Sequence, residues 1–289
     1  MQLSEIHNTL SKRLGDKYRY YATKLENCQS LDQVLSWVHQ SCNPLAGAGI
    51  LTAELLLSLF TQAQLDRVQV FVRQPDQEVL IPEKLKVQGF YFVFGGKVVQ
   101  TAHNLHAAFY EGTVAEIKAG RASFYANTSG TLNGPSSGTI FGNARVTAMG
   151  GAHATLFNEA SGVGKDHSHL VCMGNSVVEL HDKAFGLAME RSKVSFHDQT
   201  KGRAMGESIC LCQDKSEVVF GEKAQGLILT SGHIESTGTN VLYQFYSKAS
   251  ISTSKTTSLH VLPSKDADKF VSLFHAYVPA SGGTLNFPV

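Results

Sequence analysis

Residues 132–235 divide into consecutive units of eight that read LNGPSSGT, IFGNARVT, AMGGAHAT, LFNEASGV, GKDHSHLV, CMGNSVVE, LHDKAFGL, AMERSKVS, FHDQTKGR, AMGESICL, CQDKSEVV, FGEKAQGL and ILTSGHIE. The fifth place of every octad is Ser, Ala, Thr or Gly, and the third place is Gly, Asn, Asp or Glu in every octad but the last. Small residues at a fixed place indicate a narrow interior, and Gly, Asn and Asp are typical of turns. The sequence therefore predicts a regular repeat, which extends more weakly over residues 116–251.

An octad is long enough for one strand and one turn, so several octads must join to close a coil. Apolar residues at the seventh place recur every 24 positions at Val146, Leu170, Val194, Val218 and Leu242. This spacing predicts a triangular parallel β-solenoid with three octads in each coil. The first, fifth and seventh places are expected to face the interior, where Phe196 would share a layer with Gly186 and Gly202.

The repeat also resembles a known kind of chain. Residues 144–151, Ala-Arg-Val-Thr-Ala-Met-Gly-Gly, are close to the unit Ala-x-Val-x-Ala-x-Gly-Asn of an uncharacterised class of bacterial and phage octad-repeat β-solenoid proteins. The resemblance covers residues 116–251 and implies a fold but no activity. The six-residue period of left-handed acyltransferases is absent from the sequence.

The N-terminal part of the chain differs from the repeat. Residues 1–63 carry apolar residues at helical spacing, and Ser30 with Gln33 forms a capping-box pattern, so three short helices are expected. The second helix is expected to break at Asn43-Pro44. Residues 64–115 alternate like strands, and Gly95-Gly96 predicts a β-hairpin that leads into the solenoid.

The C-terminal part returns to helical spacing. The solenoid is expected over residues 116–259, and residues 260–289 are expected to form a helix and a tail. One face of that helix would carry Phe270, Leu273, Phe274 and Tyr277. Helices at both ends suit a solenoid, because an uncapped end is an open sheet edge that invites aggregation, so the N-terminal helices are expected to cap the rod.

Composition limits the classes of function. Charged residues make up 17% of the chain, and 25 Lys+Arg against 24 Asp+Glu give a net charge of +1, which argues against a strongly basic nucleic-acid binder. No apolar run approaches the roughly 18 residues of a membrane span, and the N-terminus has no apolar signal core. A cytoplasmic location is therefore expected, with a phage particle as the alternative. The odd count of 5 cysteines fits free thiols.

Large aliphatic and aromatic residues occupy outward places of the octads. In the triangular arrangement they share one side of the prism, and such a patch normally marks a covered or interacting surface. Two occupants stay open at this point: the C-terminal helix of the same chain, and another chain. A third alternative is a reversed side, in which these residues face inward and Gly186 and Cys210 face outward. The residues of this candidate interaction side are Val163, Phe185, Leu187, Ile209 and Leu211.

Several groups of polar residues resemble metal-binding or catalytic sites in their composition and spacing. Asp166, Glu190 and Asp214 are each separated by three octads and are expected to stack at one corner as a charge-compensated, solvated ladder. His167 and His169 are expected to lie apart, with His169 stacked between cationic side chains. The motif Cys210-x-Cys212 is expected to be buried and apolar, since a zinc site needs about four ligands. No metal or cofactor is expected, and no phosphate-loop, Rossmann or hydrolase motif is present.

Two classes of function remain. The first is a structural or interaction protein, a rigid rod that binds itself or a protein partner through the apolar side. The alternative is a carbohydrate-binding or carbohydrate-active β-helix protein, although the outward places hold few aromatic residues, chiefly Phe185 and Tyr243. A trimeric phage fibre is a subsidiary form of the first class, because three apolar sides can meet on one axis. The sequence leans against an enzyme.

Overall fold

The computed structural model describes residues 2–79, 81, 90–245 and 249–276. It is a parallel β-solenoid of about 11 turns, with helices before it and one helix after it. The strands form two parallel sheets of 12 strands each, and the chain alternates between them. The solenoid prediction is confirmed, whereas the triangular cross-section is wrong because the coil has two sides.

The helices precede and follow the solenoid in sequence. They are α1 (Leu3–Leu14), α2 (Arg19–Glu26), α3 (Leu31–Gly47), α4 (Ala53–Leu59), α5 (Gln62–Arg67) and α6 (Ala267–Ala276), with 3₁₀ turns at Asp16–Tyr18 and Ser264–Asp266.

The odd-numbered strands form sheet A, and the even-numbered strands form sheet B. Sheet A consists of β1 (Val70–Val72), β3 (Phe90–Phe94), β5 (His106–Tyr110), β7 (Gly120–Phe124), β9 (Ser136–Ile140), β11 (His153–Leu156), β13 (His169–Cys172), β15 (Phe185–Ala188), β17 (Lys201–Ala204), β19 (Glu217–Phe220), β21 (His233–Ser236) and β23 (Ser250–Thr253). Sheet B consists of β2 (Glu78–Val79), β4 (Lys97–Gln100), β6 (Val114–Ile117), β8 (Ser129–Asn133), β10 (Arg145–Met149), β12 (Ser161–Gly164), β14 (Val177–Leu180), β16 (Lys193–Phe196), β18 (Ile209–Cys212), β20 (Gln225–Ile228), β22 (Val241–Gln244) and β24 (Ser258–Val261).

The register of the strands fixes the length of a coil. His153 lies opposite His169, and His169 lies opposite Phe185. Side-chain hydrogen bonds between neighbouring coils likewise join residues 16 positions apart. A coil from β8 to β22 therefore spans two octads and not three. The eight-residue pattern could not decide this number, because the first, fifth and seventh places face inward whichever way the octads close.

The interior follows the predicted arrangement of large against small residues. Phe196 on sheet B is fully buried, and a Cβ atom at Gly202 on sheet A would overlap its ring. A Cβ at Gly186 would lie 3.3 Å from the same ring. The two sheets thus approach closely wherever a glycine faces an aromatic ring, as dense packing requires.

The region around Gly95-Gly96 is not a hairpin. β3 pairs in parallel with β5 in sheet A, and β4 pairs in parallel with β6 in sheet B. Gly95 and Gly96 both have positive φ, and a Cβ at Gly95 would overlap the carbonyl oxygen of Arg73. The two glycines therefore form a tight corner of the solenoid, whose parallel strands begin at β1.

The N-terminal helices are confirmed, although five α-helices take the place of three. Ser30 caps α3 and accepts a hydrogen bond from the Gln33 backbone at 3.3 Å. The expected break at Asn43-Pro44 is wrong, because α3 continues to Gly47. Cys42 and Leu45 on either side of Pro44 are fully buried, so packing in the helical bundle offsets the backbone bond that Pro removes.

The helical bundle covers the outer face of sheet A at its first strands. One buried cluster joins the helices to outward residues of β1, β3 and β5, among them Val70, Phe92 and Tyr110. The edge of β1 is also covered, because Val72 O accepts hydrogen bonds from Gln62 Nε2 and from Arg73 Nη1. The bundle thus protects both a face and an edge at the start of the solenoid.

The C-terminal helix α6 lies on the outer face of sheet B, at the other end of the solenoid. Phe270 and Phe274 are buried in a cluster with residues of β18, β20 and β22. Lys193 Nζ donates to the carbonyl oxygen of His275 at 3.0 Å, which places a cation at the C-terminal end of the helix dipole. Leu273 is 37% exposed, so its predicted place on the buried face is wrong. Tyr277 lies outside the described residues.

Candidate interaction surface

The predicted interaction side does not exist as one surface. Phe185 and Leu187 lie on β15 of sheet A, whereas Ile209 and Leu211 lie on β18 of sheet B. The predicted three-octad coil brought them together, and the observed two-octad coil separates them onto opposite faces. Ile209 and Leu211 are covered by α6, so the chain itself occupies that half of the predicted side.

Val163 lies on the sheet B face beyond α6. It lines a shallow cavity of about 350 Å³. Its lining includes the small residues Gly130 and Gly162 and the charged residues Arg145 and Glu179. Val163 is therefore separate from Phe185 and Leu187, which lie on the opposite sheet.

A different apolar feature follows the strands of sheet A, at the corner where the chain turns toward sheet B. One outward residue directly after each of five successive strands is Phe or Met, and each donates its backbone N–H to the preceding coil at 2.8 to 2.9 Å. These hydrogen bonds hold the five residues in register, one per coil. We call this set the apolar ridge, and it consists of Phe141, Phe157, Met173, Met189 and Met205.

The ridge continues a stack of aromatic rings that begins under the helical bundle. The rings of Tyr110 and Tyr125 are stacked at 4.7 Å, those of Tyr125 and Phe141 at 5.1 Å, and those of Phe141 and Phe157 at 5.3 Å. Asn43 of α3 ties the start of the stack to the bundle, since its Oδ1 accepts from both tyrosine hydroxyls at 2.8 Å. Burial raises the pKa of both tyrosines, which keeps these hydroxyls protonated as donors.

The ridge lies outside the core of the protein. All five of its residues are partly exposed, and none of them belongs to a buried cluster of the described chain. Leu187 precedes Met189 by two residues on the outward side of sheet A, and it is also partly exposed. A continuous line of large apolar side chains along the surface is the kind of feature that marks an interaction site.

Charged residues flank the ridge on the side of sheet B. The fourth place of the octads that carry the ridge has three exposed charged residues, Glu159, Arg191 and Glu207. Glu159 lies two coils before Arg191, and Glu207 lies one coil after it. Within the described part of the chain, neither Glu159 nor Arg191 has an ion-pair partner within 4.0 Å. Glu190 differs, because its carboxylate accepts a hydrogen bond from the Gly174 backbone at 2.7 Å.

The predicted ladder of Asp166, Glu190 and Asp214 is wrong, because Glu190 lies at the other corner of the coil. Asp166 instead stacks with Asp182, Asp198 and Asp214. Each of these last three carboxylates accepts a hydrogen bond from the backbone N–H of the aspartate one coil earlier, at 3.2, 3.0 and 3.0 Å. All four residues have positive φ, a conformation that Asp tolerates better than most residues. The ladder therefore holds the turns together.

Four of the described histidines form two stacked pairs. His169 lies between His153, at 4.9 Å, and Phe185, at 5.6 Å, so its expected cationic neighbours are wrong. His181 and His197 stack at 4.7 Å at the corner of the Asp ladder. Burial lowers the pKa of His197, and neighbouring His181 lowers it further. Partial burial and His153 likewise lower the pKa of His169.

The Cys210-x-Cys212 motif is buried as expected. Both thiols and Cys172 are fully buried in the solenoid core. Burial raises the pKa of all three, so the thiols stay protonated and act as small apolar groups. No group of three or more His, Cys, Asp or Glu residues that could hold a metal ion is found among the described residues.

Comparison with known proteins adds no relative. No protein-family model, no curated protein and no solved structure matches this chain. Among the described residues, no helix has the length and apolar character needed to cross a membrane.

The sequence contains a signal for the ridge that a three-octad coil hides. The second place of alternate octads reads Phe, Phe, Met, Met, Met, whereas the octads between them carry mostly polar residues such as Lys165 and Gln213. Sampling every second octad would have revealed both the ridge and the length of the coil. Sampling every third octad distributes the ridge residues over three corners.

Proposed function

We propose that this chain is a structural or interaction protein, a rigid β-solenoid that binds a protein surface through the apolar ridge. The observation that carries the proposal is the line of partly exposed Phe and Met side chains outside every buried cluster. Phe and Met suit such a surface, because both contribute large apolar area and Met adapts its shape to a partner.

Rigidity supports the same proposal. The backbone of each ridge residue is held by a hydrogen bond to the coil before it, so the spacing of the side chains along the ridge is set before a partner arrives. A preorganised surface loses less conformational entropy on binding than a loop does. The helical bundle gives a precedent within the chain, since α3 already packs against Tyr125 at the start of the same stack.

The aromatic stack favours a protein over a glycan as the partner. Sugars pack on free aromatic faces, but the rings of Tyr125, Phe141 and Phe157 cover one another's faces at 5.1 and 5.3 Å. The edges of these rings and the thioethers of the methionines remain for contact. Such edges suit apolar side chains of another protein.

A photoreactive residue on the ridge tests the proposal. Met189 is replaced by p-benzoylphenylalanine, and Met149, a partly exposed methionine at the opposite corner, is replaced in the same way as the matched control. Irradiation of cells that express each variant is followed by identification of the adducts by mass spectrometry. We expect one defined adduct from position 189 that is absent from position 149, and we expect Met173→Glu to abolish it.

The crosslinking experiment has one supporting result and two contradicting ones. A defined adduct that depends on Met173 supports the ridge as an interaction surface, whether the captured chain is a second copy or another protein. Equal adducts from positions 189 and 149, or an adduct that survives Met173→Glu, would show that the ridge is not the binding surface.

A further inference from the structure

Resting on the proposed function, we propose that the partner on the apolar ridge is a second copy of this chain, packed antiparallel with Met173 of both copies at the two-fold axis. The axis runs perpendicular to the ridges. Such an interface is isologous, because the same surface serves both copies and the assembly closes as a dimer.

The period of the ridge is the first argument. Its residues repeat with the coil, at the strand spacing of about 4.8 Å, and five of them span about 19 Å. A second copy carries the same period, so two ridges stay in register along their whole length. With Met173 on the axis, Phe157 of one copy faces Met189 of the other, and Phe141 faces Met205.

Charge complementarity is the second argument. A two-fold axis perpendicular to the ridge brings the same flank of the two copies together and reverses its order. Glu159, one coil before the axis, then faces Arg191 of the second copy, one coil after it. Symmetry makes this pair twice. Both residues are exposed and have no ion-pair partner in the described part of their own chain.

Other registers lose this match or leave much of the ridge uncovered. An axis halfway between Met189 and Met205 sets Arg191 against Glu207 of the second copy, but Met173 then faces Gly221 and Phe157 faces Thr237, which are small. An axis at Met189 places Arg191 of one chain opposite Arg191 of the other, and Glu190 opposite Glu190. An axis halfway between Met173 and Met189 places Glu159 against Glu207. Like charges placed together are costly at an interface. A parallel arrangement sets the two flanks of the ridge against each other, which leaves Glu159 opposite Thr155 and Arg191 opposite Leu187.

Shape at the ends of the ridge is the third argument. After Met205 the same column continues with Gly221 and Thr237, which are small. In the antiparallel register, Gly221 lies level with Tyr125 of the second copy. There α3 packs close to the stack, since a Cβ at Gly47 would lie 3.4 Å from the Tyr125 ring. The column thus becomes narrow where the helical bundle of the second copy begins.

Reciprocal charge changes test the register. Sedimentation equilibrium is run on Glu159→Arg, Arg191→Glu, the double variant, and Lys215→Glu, an exposed site at the opposite corner, as the control. Each single variant creates two like-charge contacts and is expected to weaken the dimer about tenfold or more. The double variant restores opposite charges and is expected to return close to wild type, as is the control.

A thiol placed on the axis gives a second readout. Met173→Cys is expected to form a disulfide between copies under mild oxidation, because the axis sets the side chains of residue 173 in the two copies directly opposite each other. Met189→Cys faces Phe157 and is expected to stay reduced. Dimers with no rescue in the double variant, or with a disulfide at 189 and none at 173, would overturn the register.

Failure of this inference is distinct from failure of the proposed function. The chain could sediment as a monomer while photoreactive position 189 captures one other protein. That result would overturn the proposal of a second copy and would leave the ridge as an interaction surface. A monomer without a ridge-dependent adduct overturns both.

Discussion

Substitution of Gly202 by alanine tests how tightly the two sheets pack. A Cβ atom there would overlap the Phe196 ring and would lie 2.5 Å from the carbonyl oxygen of Gly186. Phe196 is fully buried in the solenoid core. Gly151 offers a matched control, because the nearest atom to a Cβ there is the Gly134 carbonyl oxygen at 3.9 Å.

The expected magnitude follows from two opposing effects. Replacing Gly by Ala reduces the entropy of the unfolded chain and stabilises by about 0.4–1 kcal/mol where the backbone allows it. Overpacking a dense core costs about 1–3 kcal/mol. Gly202→Ala is therefore expected to lower the free energy of unfolding by about 1–2 kcal/mol, and Gly151→Ala is expected to leave it unchanged or slightly higher.

The assay is urea denaturation followed by circular dichroism, with midpoints compared at equal slopes. The double variant Gly202→Ala with Phe196→Leu shrinks the group that the new methyl meets. Its destabilisation is expected to be smaller than the sum of the two single effects by about 1 kcal/mol. Additive effects, or equal midpoints for Gly202→Ala and Gly151→Ala, would refute the packing argument.

Three further predictions concern the turns, the C-terminal helix and pH. Asp198→Ala removes the 3.0 Å hydrogen bond from the Asp182 backbone N–H and leaves an alanine at φ 54°. It is expected to lower the free energy of unfolding, measured by urea denaturation, by about 1–2 kcal/mol, and Asp198→Gly is expected to lower it less. Phe274→Ala is expected to detach α6 and speed its proteolysis at least about tenfold, since burial of Phe274 contributes up to about 3–5 kcal/mol; unchanged cleavage would contradict the packing. His197 has a pKa below its usual 6.5, so its unfolded form binds more protons and stability is lost as pH falls below about 6.5; His197→Gln is expected to flatten this loss, and an identical pH profile would contradict the cause.

The solenoid fold was predictable from the octad pattern, but the inward and outward places of that pattern do not give the number of sides. The octads identify inward and outward places, because burial repeats with the strand and the turn. That pattern is the same for two or three octads in each coil. Only a property that differs between corners can decide, and the alternation of Phe and Met with polar residues at the second place is such a property.

The candidate surface was predictable only in part for the same reason. Phe185 and Leu187 lie on an exposed face, and Ile209 and Leu211 are covered by the C-terminal helix, which was one of the two occupants that the sequence left open. The hairpin at Gly95-Gly96 failed because a glycine pair serves a solenoid corner as well as a two-residue turn. Local sequence does not distinguish these two uses.

Distances between spin labels on two copies test the central claim most directly. Cysteines are introduced at Ser137, His169 and Lys201, which lie in one column on the outer face of sheet A, two coils apart. Cys28 is first replaced by serine, because the other four cysteines are buried.

An antiparallel dimer centred on Met173 predicts the shortest distance for labels at position 169, which lie at the level of the axis. Labels at positions 137 and 201 are each separated by a further axial distance of about 19 Å, four steps of the strand spacing. These two distances are expected to be longer and similar to each other. Equal distances at all three positions would show parallel packing, and the absence of dipolar coupling at every position would contradict the dimer itself.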